Sequence, residues 1–183
     1  MNPEKTSVVH FTRRRTANRR PFTIFDEPLQ FTAYARYLGV DLDSKLTFQQ
    51  HIQTVAKKAT NRLLAIYPLL RSQVFSIETR LHIYYMLIRS LLTYAAPAWK
   101  HAAPSHLILL QRVQNRAARI ITGHSRDTRI TQLHEDLSLQ YLSDFIEHIS
   151  ISFWNRIRTS PHDSLHNIGT AIPIRQTYRM PHP

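Results

Sequence analysis

Residues 104–123, with the sequence PSHLILLQRVQNRAARIITG, give the clearest indication of the fold of this chain. Apolar residues recur here every three or four positions, which is the spacing of one face of a helix. Gly123 stands where such a helix would end. Arg112, Arg116 and Arg119 follow one another at intervals of four and three residues, so they share a second face. The stretch therefore predicts an amphipathic helix that carries a row of arginines.

The same helical period extends through most of the chain, from Leu46 to Ser160. It predicts further helices on both sides of the quoted stretch. In the first of them, Lys57, Lys58 and Arg62 lie away from the apolar stripe. A loop carrying Trp99 is expected before the arginine-bearing helix. The other predicted helices cover residues 46–70, 76–95, 131–136 and 143–158.

The N-terminal part has a different, β-like pattern. Three short apolar segments bounded by turn residues predict strands at 8–11, 22–25 and 37–40. So few strands need another surface to pack on. The expected fold is α+β and mostly α, with a short strand or hairpin remnant followed by a bundle of four to five helices. The predicted domains are a β-rich part at 1–45, a helical part at 46–159 and a loose basic tail at 160–183.

Charge and composition limit the classes of function. The chain has 183 residues, with 24 Lys and Arg against 12 Asp and Glu, which gives a formal net charge of +12. It contains no Cys, so disulfides, thiolate nucleophiles and thiolate metal sites are excluded. No apolar run is long enough to predict a membrane span, and the first residues do not resemble a secretory signal. A nuclear or cytoplasmic location is therefore favoured, and secretion is not expected.

No catalytic or metal-binding constellation stands out in the sequence. The acidic doublets Asp26-Glu27 and Glu135-Asp136 do not follow apolar strands, and the three glycines cannot form a phosphate-binding loop. The eleven histidines include no convincing set of metal ligands. We therefore predict no metal site and no cofactor for these residues.

The basic residues are more informative, because their clusters contain few acidic neighbours. Unneutralised basic surfaces attract polyanions, and each phosphate contact adds salt-dependent affinity. Nucleic acid is therefore the expected partner. The clusters are Arg13–Arg15 with Arg19 and Arg20, then Lys57, Lys58 and Arg62, and finally Arg112, Arg116 and Arg119.

Several short motifs, in order, resemble the end of the reverse transcriptase domain of jockey-like non-LTR retrotransposons. The resemblance covers roughly residues 2–158, and its strength lies in the shared order and spacing. The motifs are NPEKT at 2–6, VHF at 9–11, YLGV at 37–40, DSKLTFQQHI at 43–52, LLTYAAPAW at 91–99, LQRVQN at 110–115 followed by RIITG at 119–123, and LHEDL at 133–137.

The resemblance implies a role for some of these residues. Lys5 would lie near the leaving pyrophosphate of the complete polymerase and could protonate it. Tyr37, Leu38 and Gly39 would form the primer grip, a β-hairpin that holds the primer end. The helices that follow would be the thumb, which contacts the backbone of an RNA–DNA hybrid or of RNA.

The resemblance also has a gap. The family's metal-binding aspartates stand in a Phe- or Tyr-Ala-Asp-Asp motif upstream of NPEKT, and these 183 residues do not contain that motif. We therefore expect a fragment truncated at its N-terminus that binds nucleic acid but is inactive alone, with Mg²⁺ needed only by the complete polymerase. The alternative is a non-catalytic interaction module that associates with itself or with missing palm and fingers.

Overall fold

A computed structural model of the protein describes residues 6–12, 21–25, 27–162 and 165. The chain divides into two compact units, Met1–Ile52 and Gln53–Pro183. The described strands all lie in the first unit, and the second unit is mainly helical. The predicted fold class, α+β and mostly α, is confirmed.

The described residues of the first unit form three separate pairs of strands. The strands are β1 (Ser7–Val8), β2 (Thr23–Ile24), β3 (Glu27–Pro28), β4 (Gln30–Phe31), β5 (Tyr34–Tyr37) and β6 (Val40–Asp43). β1 and β4 pair in parallel, whereas β2 pairs with β3 and β5 with β6 in antiparallel hairpins. β2 confirms the strand predicted at 22–25 in a shorter form, whereas β1 shares only Val8 with the strand predicted at 8–11.

The strand predicted across 37–40 is wrong, because this segment is the turn of the β5–β6 hairpin. Tyr37 pairs with Val40, which leaves Leu38 and Gly39 as a two-residue loop. Both loop residues have positive φ, +45° at Leu38 and +81° at Gly39, as a type I′ turn requires. Leucine seldom occupies such a position. Because leucine is apolar, its presence here makes the apolar pattern of the sequence continue through the turn. The resemblance implied a hairpin for this segment, and the segment has that form.

Asp43, at the end of β6, organises the connection to the first helix. Its carboxylate accepts hydrogen bonds from the backbone amides of Lys45 at 3.0 Å, Thr47 at 3.1 Å and Phe48 at 2.7 Å. Leu46 and Phe48 in this connection both have positive φ, so the carboxylate holds a strained loop. Burial acts to raise the pKa of Asp43, but these hydrogen bonds outweigh it and the pKa lies below its ordinary value.

His51 ties the start of the first helix to the hairpin. The backbone amide of Asp41 donates to His51 Nδ1 at 3.3 Å, so this nitrogen acts as an acceptor and carries no proton. The Asp41 carboxylate lies 4.0 Å from the same nitrogen of His51. Together, Asp43 and His51 give the motif at 43–52 a structural explanation, because both fix the junction between strand and helix.

Most predicted helices are present, with altered bounds. They are α1 (Gln49–Ala65), α2 (Tyr67–Arg71), α3 (Ile77–Tyr84), a π-helical segment (Tyr85–Arg89), α4 (Ser90–Leu92), α5 (Ala96–Trp99), α6 (Pro104–Thr122), α7 (Ile130–Asp136) and α8 (Leu142–Arg158). The helix predicted at 46–70 is divided at Ile66, just before Pro68 in the first turn of α2. Trp99 does not lie in a loop as predicted. It is buried at the end of α5 and donates from Nε1 to the carbonyl of Tyr94 at 2.9 Å.

Two helix ends show ordinary capping chemistry. Ser76 caps α3, because its hydroxyl accepts from the amide of Thr79 at 3.2 Å. Gly123 ends α6 with φ of +75°, as predicted. The tail predicted at 160–183 lies outside the described residues, apart from 160–162 and 165.

The π-helical segment joins α3 to α4 and packs against α8. The guanidinium carbon of Arg89 lies 3.8 Å from the ring centroid of Tyr85 and 4.1 Å from that of Phe145. The cation therefore sits between two aromatic rings, an arrangement that attracts it to the ring faces. Tyr84 of α3, Ile88 of the π-helical segment and Leu92 of α4 are fully buried.

The centre of the second unit is α6, which packs against α2, α3, α7 and α8. Its buried apolar residues include Leu110, Ala117, Ala118 and Ile121. At its C-terminal end, Arg80 of α3 donates to the carbonyl of Ile121 at 2.8 Å, where a cation interacts well with the helix dipole.

Candidate nucleic-acid interface

An open groove lies between α1 and α6 in the second unit. Its volume is about 340 Å³. One wall consists of α1 residues and the other of α6 residues, so positions about fifty residues apart in sequence face the same space. The lining residues are Gln53, Ala56, Lys57, Thr60, Leu109, Arg112, Val113 and Arg116.

The groove has cations on both walls. Lys57 on α1 and Arg112 and Arg116 on α6 are all exposed. Neither helix contains an Asp or a Glu, and Glu78 is the single carboxylate in the sequence between Ser44 and Arg126. No described carboxylate forms an ion pair with any of the three cations. The groove is therefore a region of uncompensated positive charge that favours anions.

The other predicted contact residues on these helices do not line the groove. Lys58 and Arg62 are exposed on α1, and Lys58 follows Lys57 by about 100° around the helix axis. Arg119 is partly buried on α6, and its Nε is buried without a hydrogen-bond partner among the described residues. The structure thus places Lys57, Arg112 and Arg116 around one groove, whereas Lys58, Arg62 and Arg119 do not line it.

Several other cations of the second unit have structural roles instead. Lys100 pairs with Glu147 at 3.1 Å, and its side chain is mostly buried. Arg89 lies between two rings, and Arg80 donates to the end of α6. These groups are less available to a ligand than the exposed cations of the groove.

The remaining predicted site residues belong to the first unit. Tyr37 and Leu38 are 66% and 73% exposed at the tip of the β5–β6 hairpin, and Gly39 completes the turn. Lys5 and the arginine cluster at 13–15, 19 and 20 lie outside the described residues.

A buried polar network, which is absent from the sequence-based predictions, holds α6 in place. Gln114 is fully buried; its side-chain oxygen accepts from the hydroxyl of Tyr84 at 2.7 Å and its amide donates to the carbonyl of Gln140 at 2.8 Å. Gln111 donates to the side-chain oxygen of Asn115 at 2.8 Å and accepts from the amide of Leu142 at 2.9 Å. These bonds join α6 to α3 and to the segment that leads into α8.

His134 of α7 completes this network. Its Nδ1 donates to the carbonyl of Leu139 at 2.7 Å, and its Nε2 lies 3.0 Å from the side-chain oxygen of Asn115. The ring stacks on Tyr141 at 4.1 Å. Burial lowers the pKa of His134, although the bond to Leu139 opposes this effect. Burial likewise raises the pKa of Tyr84, so its hydroxyl remains a hydrogen-bond donor.

The network explains the two motifs LQRVQN at 110–115 and LHEDL at 133–137. Gln111, Gln114, Asn115 and His134 are the buried polar members, whereas Glu135 and Asp136 are exposed. Arg112 and Val113 are the residues of LQRVQN that line the groove. A signal was present in the sequence, since Gln111, Gln114 and Asn115 lie among apolar residues of one helix. Buried amides of this kind need partners, and those partners lie on other elements.

The part of the chain that the structure describes contains no group of three or more His, Asp or Glu side chains that could hold a metal ion. Within the same residues, no helix is both long enough and apolar enough to cross a membrane.

Similarity to known proteins now adds to this geometry. The chain is 34% identical over 181 residues to a probable RNA-directed DNA polymerase from transposon X-element of Drosophila melanogaster. It is 29% identical over 188 residues to the corresponding protein from transposon BS of the same species. The resemblance to retrotransposon polymerases is confirmed. The polymerase from mobile element jockey of Drosophila melanogaster is also similar, with 26% identity over 175 residues.

These alignments cover nearly all of the chain but little of the relatives. They span 98%, 98% and 95% of the chain, and 20%, 20% and 19% of the respective relatives. The chain thus corresponds to about a fifth of the length of the polymerases it resembles. No family model matches the chain. No solved structure matches it either.

Proposed function

We propose that the chain is the thumb-bearing fragment of a retrotransposon RNA-directed DNA polymerase and that it binds primer–template nucleic acid. The observation that carries the proposal is the groove with Lys57 on one wall and Arg112 and Arg116 on the other. Similarity to polymerases supports nucleic acid as the anionic ligand.

The chemistry of the groove suits a phosphate backbone. Arginine presents a planar fork of donors to phosphate oxygens, and lysine adds a compact charge. Because α1 and α6 contain no carboxylate, a polyanion meets attraction along both walls without local repulsion. Contacts of this kind read the shape of an RNA–DNA hybrid rather than its sequence.

The test is the salt dependence of binding by the full chain. A variant with Lys57→Gln, Arg112→Gln and Arg116→Gln should bind a fluorescently labelled RNA–DNA hybrid at least about tenfold more weakly at moderate salt. Losing three phosphate contacts should also reduce the slope of log affinity against log salt by about 2 to 3.

A matched control removes the same charge elsewhere. Arg126, Arg156 and Arg158 are exposed outside the groove, and their joint replacement by Gln also removes three positive charges. This control should lose less affinity and keep most of the salt slope. Equal losses in the two variants would mean that net charge, and not the groove, governs binding.

We also propose that nucleotide transfer needs residues outside this chain. The 183 residues contain no Ala-Asp-Asp motif, and Mg²⁺ in such polymerases would be held by those aspartates. The described residues offer no comparable cluster of carboxylates. Purified chain supplied with primer–template, nucleotides and Mg²⁺ should extend no primer in a gel assay, and a templated product would overturn this part of the proposal.

A further inference from the structure

Part of the groove lining is apolar, which phosphate binding alone does not explain. Ala56 of α1 and Leu109 and Val113 of α6 line the groove together with the cations. Val113 is 6% exposed and Ala56 and Leu109 are partly exposed, whereas the three cations are exposed, so the apolar side chains form the less accessible part of the lining. The groove therefore combines a cationic rim with an apolar floor.

A regular duplex makes little use of such a floor. It presents phosphates and sugars to the protein and keeps the faces of its bases stacked inside. An unpaired nucleotide differs, because one face of its base is free to cover an apolar surface while its phosphate reaches a cation. An apolar floor beneath a cationic rim thus matches an unstacked nucleotide better than a paired one.

We propose that the groove takes an unpaired nucleotide of a strand that extends beyond the primer–template duplex. Its phosphates lie against Arg112 and Arg116, which are separated by about 6 Å along the axis of α6. Lys57 neutralises the strand from the opposite wall, and the base covers Val113 and Leu109. This inference rests on the proposed function, because it specifies which part of the nucleic acid occupies the same groove.

The test compares three ligands that share one RNA–DNA hybrid. The first is blunt, the second carries a short single-stranded RNA overhang, and the third carries an abasic overhang with the same number of phosphates. The natural overhang should bind about fivefold more tightly than the abasic one, the lower limit for stacking one base. Equal affinity for the natural and abasic overhangs would overturn the inference.

A variant locates the effect in the groove. Ala56→Phe should fill the floor without changing charge, so the ratio of affinities for the natural and abasic overhangs should fall to about one. The control Ala65→Phe changes an exposed position at the end of α1 and should keep the ratio near that of the unmodified chain. A ratio that survives Ala56→Phe would place base stacking elsewhere.

The outcomes separate this inference from the proposed function. If all three ligands bind and depend on the three groove cations, but their affinities do not depend on the bases, the proposed function stands and the unpaired-nucleotide inference fails. If no ligand binds, the proposed function itself fails. Comparison of the ligands needs no variant, so misfolding of Ala56→Phe cannot leave the question open.

Discussion

The buried hydrogen bond between Tyr84 and Gln114 offers a quantitative test of how α6 is held. Both side chains are fully buried, and the hydroxyl of Tyr84 lies 2.7 Å from the side-chain oxygen of Gln114. Tyr84→Phe removes the donor and leaves that oxygen unsatisfied, at a cost of about 1.5 kcal/mol. Gln114→Leu also removes the bond to Gln140 and leaves the tyrosine hydroxyl unpaired, at a cost of about 3 kcal/mol.

The double variant should cost less than the two single variants together. With both partners apolar, neither buried group is left without its bond, so the coupling energy should be about 1.5 kcal/mol. Urea denaturation followed by the fluorescence of buried Trp99 measures these differences, and Gln114→Leu should lower the midpoint by about 1 to 2 M.

An exposed amide provides the control for this cycle. Gln132 of α7 donates to Asp136 at 2.6 Å on the surface, and Gln132→Leu should change the free energy of unfolding by no more than about 0.5 kcal/mol. Strict additivity of the Tyr84 and Gln114 variants would refute the assignment of a direct bond between them.

Two further predictions concern the first unit. Asp43→Asn should lower stability by about 1 kcal/mol at neutral pH, since it weakens the bonds to Thr47 and Phe48. Because the folded pKa of Asp43 lies below its ordinary value, the carboxylate's contribution is present above about pH 4 and is lost as pH falls through the folded pKa. Thermal unfolding of both proteins from pH 7 to pH 2 should therefore show their difference shrinking in acid, and a constant difference would contradict it. Leu38→Asn should stabilise the β5–β6 hairpin by about 1 kcal/mol, because asparagine tolerates the positive φ better than leucine. Amide hydrogen exchange in β5 and β6 should slow about fivefold, and faster exchange would argue that Leu38 is not strained.

The positions of the long helices could be predicted from sequence because their signal is local. Apolar spacing, a serine cap at Ser76 and a terminal glycine at Gly123 act within one or two turns of the chain. The same local signal predicts a strand where the structure has the hairpin turn. Leu38 continues the apolar pattern, and its positive φ results from the pairing of Tyr37 with Val40.

The groove itself could not be predicted, because it depends on two helices that are distant in the chain. Periodicity placed Lys57, Lys58 and Arg62 together, and Arg112, Arg116 and Arg119 together. The packing of α6 then exposes the first two arginines in the groove and partly buries the third. Tertiary contacts thus decide which of the predicted cationic residues on α1 and α6 line the groove, and a single sequence does not show those contacts.

The π-helical segment has a consequence for how this part of the chain can change in length. Its i→i+5 hydrogen bonds enclose one residue more than an α-helical turn would. Deleting one residue from Tyr85–Arg89 would therefore convert this turn into an α-helical one and keep the helix beyond it close to its present orientation. Leu92, which is fully buried, would then stay in the core. A deletion within a regular helix such as α6 would instead turn everything after it by about 100°. Among descendants of this sequence, a one-residue deletion should therefore be tolerated better in this segment than within α6.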